Sequence, residues 1–221
     1  MSAVWPAAVV FDFDGLLMDT ETTSLQSWRY EWAQWGLSLD VASFFVDHGG
    51  DITEQRYGEL ADAVGSGFDR VRSHARRTAY RERLHRELDL AEGLRDWIEE
   101  ARASRLRLAV ASSSPTDWVI GHLRRAAVSD VFEVYACGDE VDAHKPAPDV
   151  YELALRRLGV TGDQAVAVED TPHGVAAAKA AGLRTIAIPN PFADHSRFDA
   201  ADLVLRSAGH LTLGEALSRL P

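Results

Sequence analysis

The chain is 221 residues long, 46% hydrophobic and 26% charged, which allows one larger domain or a core with an insert around a proper apolar interior. Acidic residues outnumber basic ones 34 to 23, and a formal net charge of −11 repels nucleic acid and anionic lipid, so neither is an expected partner. No apolar run reaches membrane-span length, the N-terminus lacks the pattern of a secretory signal, and the single cysteine, Cys137, excludes an internal disulfide framework. A cytoplasmic protein is expected, with a monomer as the default.

The first predicted element is a buried strand over Ala7–Phe11, and it runs into Asp12-Phe13-Asp14-Gly15. Residues two apart on an extended segment share a face, so both carboxylates can address one atom where the glycine lets the chain turn. Two acids that close cannot both ionise freely unless a cation compensates one or one stays protonated. A nucleophile, an acid/base and a metal ion at a strand end fit that pattern; acidic turn residues or helix caps are the plainer alternative.

From about Met18 to Leu88 no convincing strand follows. Leu25, Trp28, Trp32 and Trp35 recur at near-helical spacing, which predicts the inward face of a small helical bundle inserted after the first strand. Beyond it, Leu106–Ala111, Ala165–Val168 and Arg184–Ile188 read as short continuous apolar strands, with Val131–Ala136 and Leu203–Leu205 as weaker ones. Helices are predicted between them at Leu94–Ala103, Asp117–Ala126, Asp149–Leu158 and Gly174–Ala181, the last opened by Thr171-Pro172 and stopped by Gly182. Thr212 and Glu215 suit a capping box for a terminal helix. The alternation indicates an α/β fold with a doubly wound, mostly parallel sheet. The expected division is an α/β core over 1–17 and 89–221 with a helical insert over 18–88.

Ligands of open α/β sheets bind beyond the carboxyl ends of the strands. Those ends carry Asp12 and Asp14, Ser112-Ser113-Ser114, and Glu169-Asp170, with Lys145-Pro146 ahead of the helix at Asp149. Lys145 and Lys179 are the two lysines among 23 basic residues, and a compact ammonium approaches phosphate or carboxylate as a point charge where guanidinium imposes a planar fork. Ser114, before Pro115, is expected to cap the next helix, His173 to be structural, and Cys137 to be a small buried residue.

The ordered segments D-F-D-G-L, A-S-S-S, H-K-P-A-P-D-V-Y and V-E-D-T-P-H-G resemble the four motifs of the haloacid dehalogenase superfamily, and the D-T-E after the first motif resembles its β-phosphoglucomutase-like phosphatase subgroup. The resemblance spans nearly the whole chain and makes the insert the family's mobile cap on a Rossmann-like core. It implies Asp12 as the nucleophile that forms an aspartyl-phosphate and Asp14 as the acid/base. It implies Ser112 as a donor to a phosphoryl oxygen and Lys145 as the stabilising cation. Glu169 and Asp170 become the acidic pair holding Mg²⁺, with Asp12 and the Asp14 carbonyl completing the protein ligands.

The expected reaction is hydrolysis of a small phosphorylated metabolite such as a sugar phosphate. Asp14 argues against dehalogenation, and the absence of lysine from Met18–Leu88 removes the Schiff-base chemistry of phosphonate-cleaving relatives. A sugar-phosphate mutase is the alternative, weakened by Ser24 standing where such mutases carry a histidine. A non-catalytic phospholigand-binding protein is the third reading. Candidate substrate contacts are Ser113, Arg76, Arg56 and the turn at Gly49-Gly50, with Arg72, Arg77, His48 and Asp51 as further polar residues of the insert.

Overall fold

The computed structural model describes residues 5–44 and 52–221. The backbone divides into two compact units, Met1–Asp19 with Leu88–Pro221, and Thr20–Glu87.

The first unit is a six-stranded parallel sheet in the order β3-β2-β1-β4-β5-β6. Its strands are β1 (Ala8–Phe11), β2 (Arg107–Ala111), β3 (Val134–Ala136), β4 (Ala165–Glu169), β5 (Arg184–Ala187) and β6 (Leu203–Val204). β1 lies between β2 and β4, pairing Phe11 with Val110 on one side and with Val168 on the other. A strand flanked on both sides and covered on both faces can afford no polar residue until it ends. All four residues of β1 are buried, and the first acid follows at Asp12.

Alternate residues of each strand feed two different packing layers. Val9, Phe11, Val110 and Val168 point into the bulkier layer, under α5 (Leu94–Ala103), α6 (Thr116–Arg125) and α9 (Leu213–Ser218). Ala8, Val10, Ala109, Ala165 and Ala167 face the other layer, where small side chains let α7 (Asp149–Leu158) and α8 (Pro172–Ala180) approach closely. Thr171 caps α8, its Oγ1 accepting from Gly174 N–H at 3.1 Å, and the capping box of Thr212 and Glu215 opens α9. The sheet is fully parallel, and β3 is shorter than the hydrophobic run suggests because Ser129–Val131 forms a 3₁₀ turn.

The second unit is helical: α1 (Thr20–Ala33), α2 (Val41–Phe44), α3 (Thr53–Val64) and α4 (Arg70–His85). α1 and α4 run antiparallel, since Thr23 meets His85 at one end while Glu31 meets Ser73 at the other. Between these ends the rings of Tyr30 and Tyr80 stack with centroids 4.0 Å apart. Along the aromatic stripe Leu25 and Trp28 are buried, whereas Trp32 and Trp35 are half-buried. The Trp35 indole donates to Glu31 Oε1 at 2.9 Å. Arg77 is buried too, donating to Tyr57 Oη at 2.8 Å and lying 4.2 Å over the Trp28 ring. A cavity of about 250 Å³ in this unit is lined by Trp28, Trp32, Leu39, Phe44, Ile52, Arg56 and Glu59. Among the described residues no helix is long and apolar enough to cross a membrane.

Candidate active site

Three adjacent strands deliver the polar cluster. β1 ends one residue before Asp12, β2 one residue before Ser112, and β4 on Glu169 itself. Sheet pairing continues past the end of β1, because Asp12 N–H donates to Val168 O at 2.9 Å and so fixes the first acid beside Glu169. Gly15, at φ +82°, turns the chain back so that its N–H reaches Met18 O.

Lys145, from the segment between β3 and α7, closes the cluster. Its Nζ donates to Asp12 Oδ1 at 2.5 Å, to Glu169 Oε1 at 2.6 Å and to Ala111 O at 2.9 Å. Its side chain is 8% exposed, so these bonds are shielded from water. Burial works against the ammonium charge, but attraction to Asp12 and Glu169 outweighs it and raises the Lys145 pKa above the ordinary lysine range. Glu169 also accepts from Tyr151 Oη at 2.7 Å and from Asp170 N–H at 3.0 Å. Burial, reinforced by the neighbouring Glu169 charge, keeps Tyr151 a protonated phenol.

The charge balance of the cluster is unfavourable on its own. Burial first, then Glu169 and Asp14, push the Asp12 carboxyl up to about 8 despite the pull of Lys145. Carboxylate oxygens of Asp12, Glu169 and Asp170, all buried, lie within 4.8 Å of one another. Hard oxygen donors around a deficit of positive charge suit Mg²⁺, and the residues present fit it. Asp170 Oδ2 is oriented by Asn190 Nδ2 at 2.9 Å. A second trio, Cys137, Asp139 and Glu140, is already committed. Asp139 accepts from Thr116 N–H, Glu140 pairs with Arg157, and burial pushes the Cys137 thiol up to about 11.

Asp14 is half-buried, and both its oxygens are bonded: Oδ2 accepts from Ser114 Oγ at 2.6 Å and Oδ1 from Trp118 Nε1 at 3.0 Å. Ser112 is buried, its Oγ accepting from Ser114 N–H at 3.0 Å, and Ser113 is exposed at the same strand end. Asp12, Asp14, Ser112, Lys145, Glu169 and Asp170 thus gather at one sheet edge.

The candidates of the helical unit stand differently. Arg76 grips Glu31 with Nε at 2.8 Å and Nη2 at 2.6 Å, inside the α1–α4 pair. Arg56 donates to Phe44 O at 2.8 Å and borders the cavity. Arg72 uses its N–H on the capping residue Asp69, and His48, Gly49, Gly50 and Asp51 lie outside the described residues. Ser114 does not cap α6. Pro115 occupies the N-cap, and Asp139 takes the first-turn N–H of Thr116 instead. Sequence reading missed Trp118, Tyr151 and Asn190. Tyr151 sits in the quoted H-K-P-A-P-D-V-Y segment, and Asn190 lies just past β5 at the same edge, so both carried a signal.

Residues 9–188 match the family model described as haloacid dehalogenase-like hydrolase. The chain belongs to that family. Among its haloacid dehalogenase-like relatives, Protein CbbY of Rhodobacter capsulatus is 34% identical over 208 residues, covering 88% of this chain and 90% of that one. The Phosphorylated carbohydrates phosphatase of Thermotoga maritima is 32% identical over 185 residues, 81% of this chain and 83% of its own length. A crystal structure of a HAD family hydrolase from Deinococcus radiodurans R1, with bound phosphate and sodium, has a TM-score of 0.82 at 25% identity, over 99% of this chain and 98% of that one.

Proposed function

We propose that this phosphoric monoester hydrolase of the haloacid dehalogenase-like family dephosphorylates a small phosphorylated metabolite, a sugar phosphate by preference, through an aspartyl-phosphate on Asp12 and with Mg²⁺ as cofactor. The observation that carries the reading is Lys145, buried and bonded to both Asp12 and Glu169 within a trio of clustered carboxylates. Phosphoryl transfer depends on positioning and charge neutralisation, and this edge supplies both. A relative that acts on phosphorylated carbohydrates and a phosphate-bearing neighbour of the same fold support the substrate class.

Bound at Asp12, Glu169, Asp170 and the Asp14 carbonyl, Mg²⁺ would neutralise charge on the carboxylates and on the incoming phosphoryl group. The protein's part follows from its own residues. Lys145 orients the Asp12 carboxylate towards phosphorus. Ser112, at the end of β2, offers its hydroxyl to a phosphoryl oxygen. As the Asp12–phosphorus bond forms, the ester P–O bond breaks and the leaving oxygen takes a proton from Asp14. Asp14 then removes a proton from the water that attacks phosphorus, the bond between phosphorus and the Asp12 oxygen breaks, and inorganic phosphate leaves with the Asp12 carboxylate restored.

Turnover of p-nitrophenyl phosphate should require Mg²⁺ and stop on addition of EDTA, and Asp12→Asn should abolish it while the circular dichroism spectrum stays unchanged. An active Asp12→Asn enzyme sinks the proposal. With β-glucose 1-phosphate and a bisphosphate primer, inorganic phosphate is the expected product; an isomeric sugar phosphate would assign the chain to mutase chemistry instead.

A further inference from the structure

Resting on that reading, we infer that Trp118 and Ser114 form a two-point clamp that sets the Asp14 carboxyl for proton delivery to the leaving group. Neither was expected to serve the reaction: Ser114 read as a helix cap and Trp118 as part of α6. In the structure both donate to Asp14, one to each oxygen, at 3.0 Å for the indole and 2.6 Å for the hydroxyl. The two donors are not equivalent. An indole N–H can only donate, so Oδ1 is tied down as an acceptor. A serine hydroxyl rotates freely, so Ser114 can turn away and leave Oδ2 open to carry the proton that goes to the leaving oxygen. The pair therefore singles out Oδ2 as the proton-bearing oxygen and fixes the plane of the carboxyl.

The clamp is itself braced. Ser114 N–H donates to Ser112 Oγ at 3.0 Å, and Gly138 N–H donates to Ser114 O at 3.0 Å. Trp118 rests on His122, with ring centroids 4.3 Å apart, and Trp118 O lies 2.8 Å from His122 Nδ1. His122 in turn packs edge-on against Phe13, the residue between the two aspartates, at 5.7 Å. One turn of α6 and the segment after β2 thus both address Asp14. Trp118 and Ser114 act through Asp14 and are positioning residues. In the step they serve, the ester P–O bond breaks, its electron pair stays on the leaving oxygen, and that oxygen receives the Oδ2 proton.

Leaving-group dependence tests the assignment. A p-nitrophenolate departs without a proton, whereas an alkoxide needs one, and kcat/KM reports events up to the departure. Trp118→Phe and Ser114→Ala should lower kcat/KM for the best alkyl phosphate of a metabolite panel by about 30-fold, within the span of general acid catalysis. For p-nitrophenyl phosphate the loss should stay below about 3-fold, since no proton need be delivered there. Ser114→Thr, which keeps the hydroxyl, should retain the wild-type ratio between the two substrates. The Trp118 indole proton, assigned by its loss in Trp118→Phe, should move upfield in the NMR spectrum of Asp14→Ala. Equal losses on both substrates, or an unmoved indole resonance, overturn the clamp. Activity in Asp12→Asn would instead overturn the underlying mechanism, so the two failures are distinguishable.

Discussion

Lys145 carries three N–H donors and meets three acceptors, from Asp12, Glu169 and the carbonyl of Ala111, all within 2.9 Å. That match explains a lysine in a chain that uses arginine almost everywhere else, because a planar fork cannot point at three oxygens arranged around one atom. Lys145→Arg should therefore keep the charge yet lower kcat by about 100-fold, the order lost when one preorganised electrostatic partner is misplaced. Steady-state kinetics of the variant check it, and near wild-type turnover would show that charge alone suffices. The other lysine, Lys179, expected as a solvated side chain, pairs with both oxygens of Asp202 at 2.8 Å on the surface. The rarity of lysine was legible in the sequence. Its partners were not, because Asp12 and Glu169 are 133 and 24 residues away.

At the scale of elements, α8 is placed by the need of Glu169 for room. A Cβ built on Gly174, in the first turn of that helix, would sit 1.9 Å from Glu169 Oε1. Glu169 cannot retreat without giving up Lys145 and Tyr151. Gly174→Ala, worth about 1 kcal/mol to an isolated helix by propensity, should here cost about 100-fold in activity, the penalty of a displacement near 1 Å at a reacting centre. Helix content should be retained, and isothermal titration should register weaker Mg²⁺ binding. An active, metal-tight Gly174→Ala would show that Glu169 has space the packing denies. The strands and helices of the α/β unit were legible from short continuous apolar runs, Thr171-Pro172 and the Thr212–Glu215 box. The cap of α6 was not, because the first-turn N–H is taken by Asp139, a residue of another loop.

Across the whole molecule, the two units hold themselves together by different means. The α/β unit relies on apolar layers, whereas the helical unit encloses Glu31, fully buried and bonded by Ser73, Arg76 and Trp35. Burial alone would raise the Glu31 pKa, but hydrogen bonds from Arg76, Ser73 and Trp35 outweigh it and hold the carboxyl below the ordinary 4.5. A lowered folded pKa stabilises fully above the unfolded value and is lost as pH falls through the folded one. Glu31→Gln should thus destabilise by about 3 kcal/mol near neutrality, the scale of breaking a buried pair. The gap from wild type should narrow as pH falls below the ordinary glutamate range and the wild-type carboxyl also protonates. Thermal melts against pH, with hydrogen exchange over residues 20–33 and 70–85, measure both. A gap that does not change with pH would remove Glu31 as its source. The acid was hidden in the sequence because an isolated glutamate on a helix reads as solvated.

By itself the sequence determined the parallel α/β architecture, the five polar positions at or just past its strand ends and the lysine ahead of α7, because periodicity, glycine and proline punctuation and residue type are local properties. Only the tertiary structure decided which donor faces which oxygen: Ser114 and Trp118 on Asp14, Tyr151 on Glu169, Asn190 on Asp170, and Arg76 on Glu31. Each of those bonds joins residues 18 to 104 positions apart, and such a hydrogen bond exists only once packing has brought both ends to within about 3 Å.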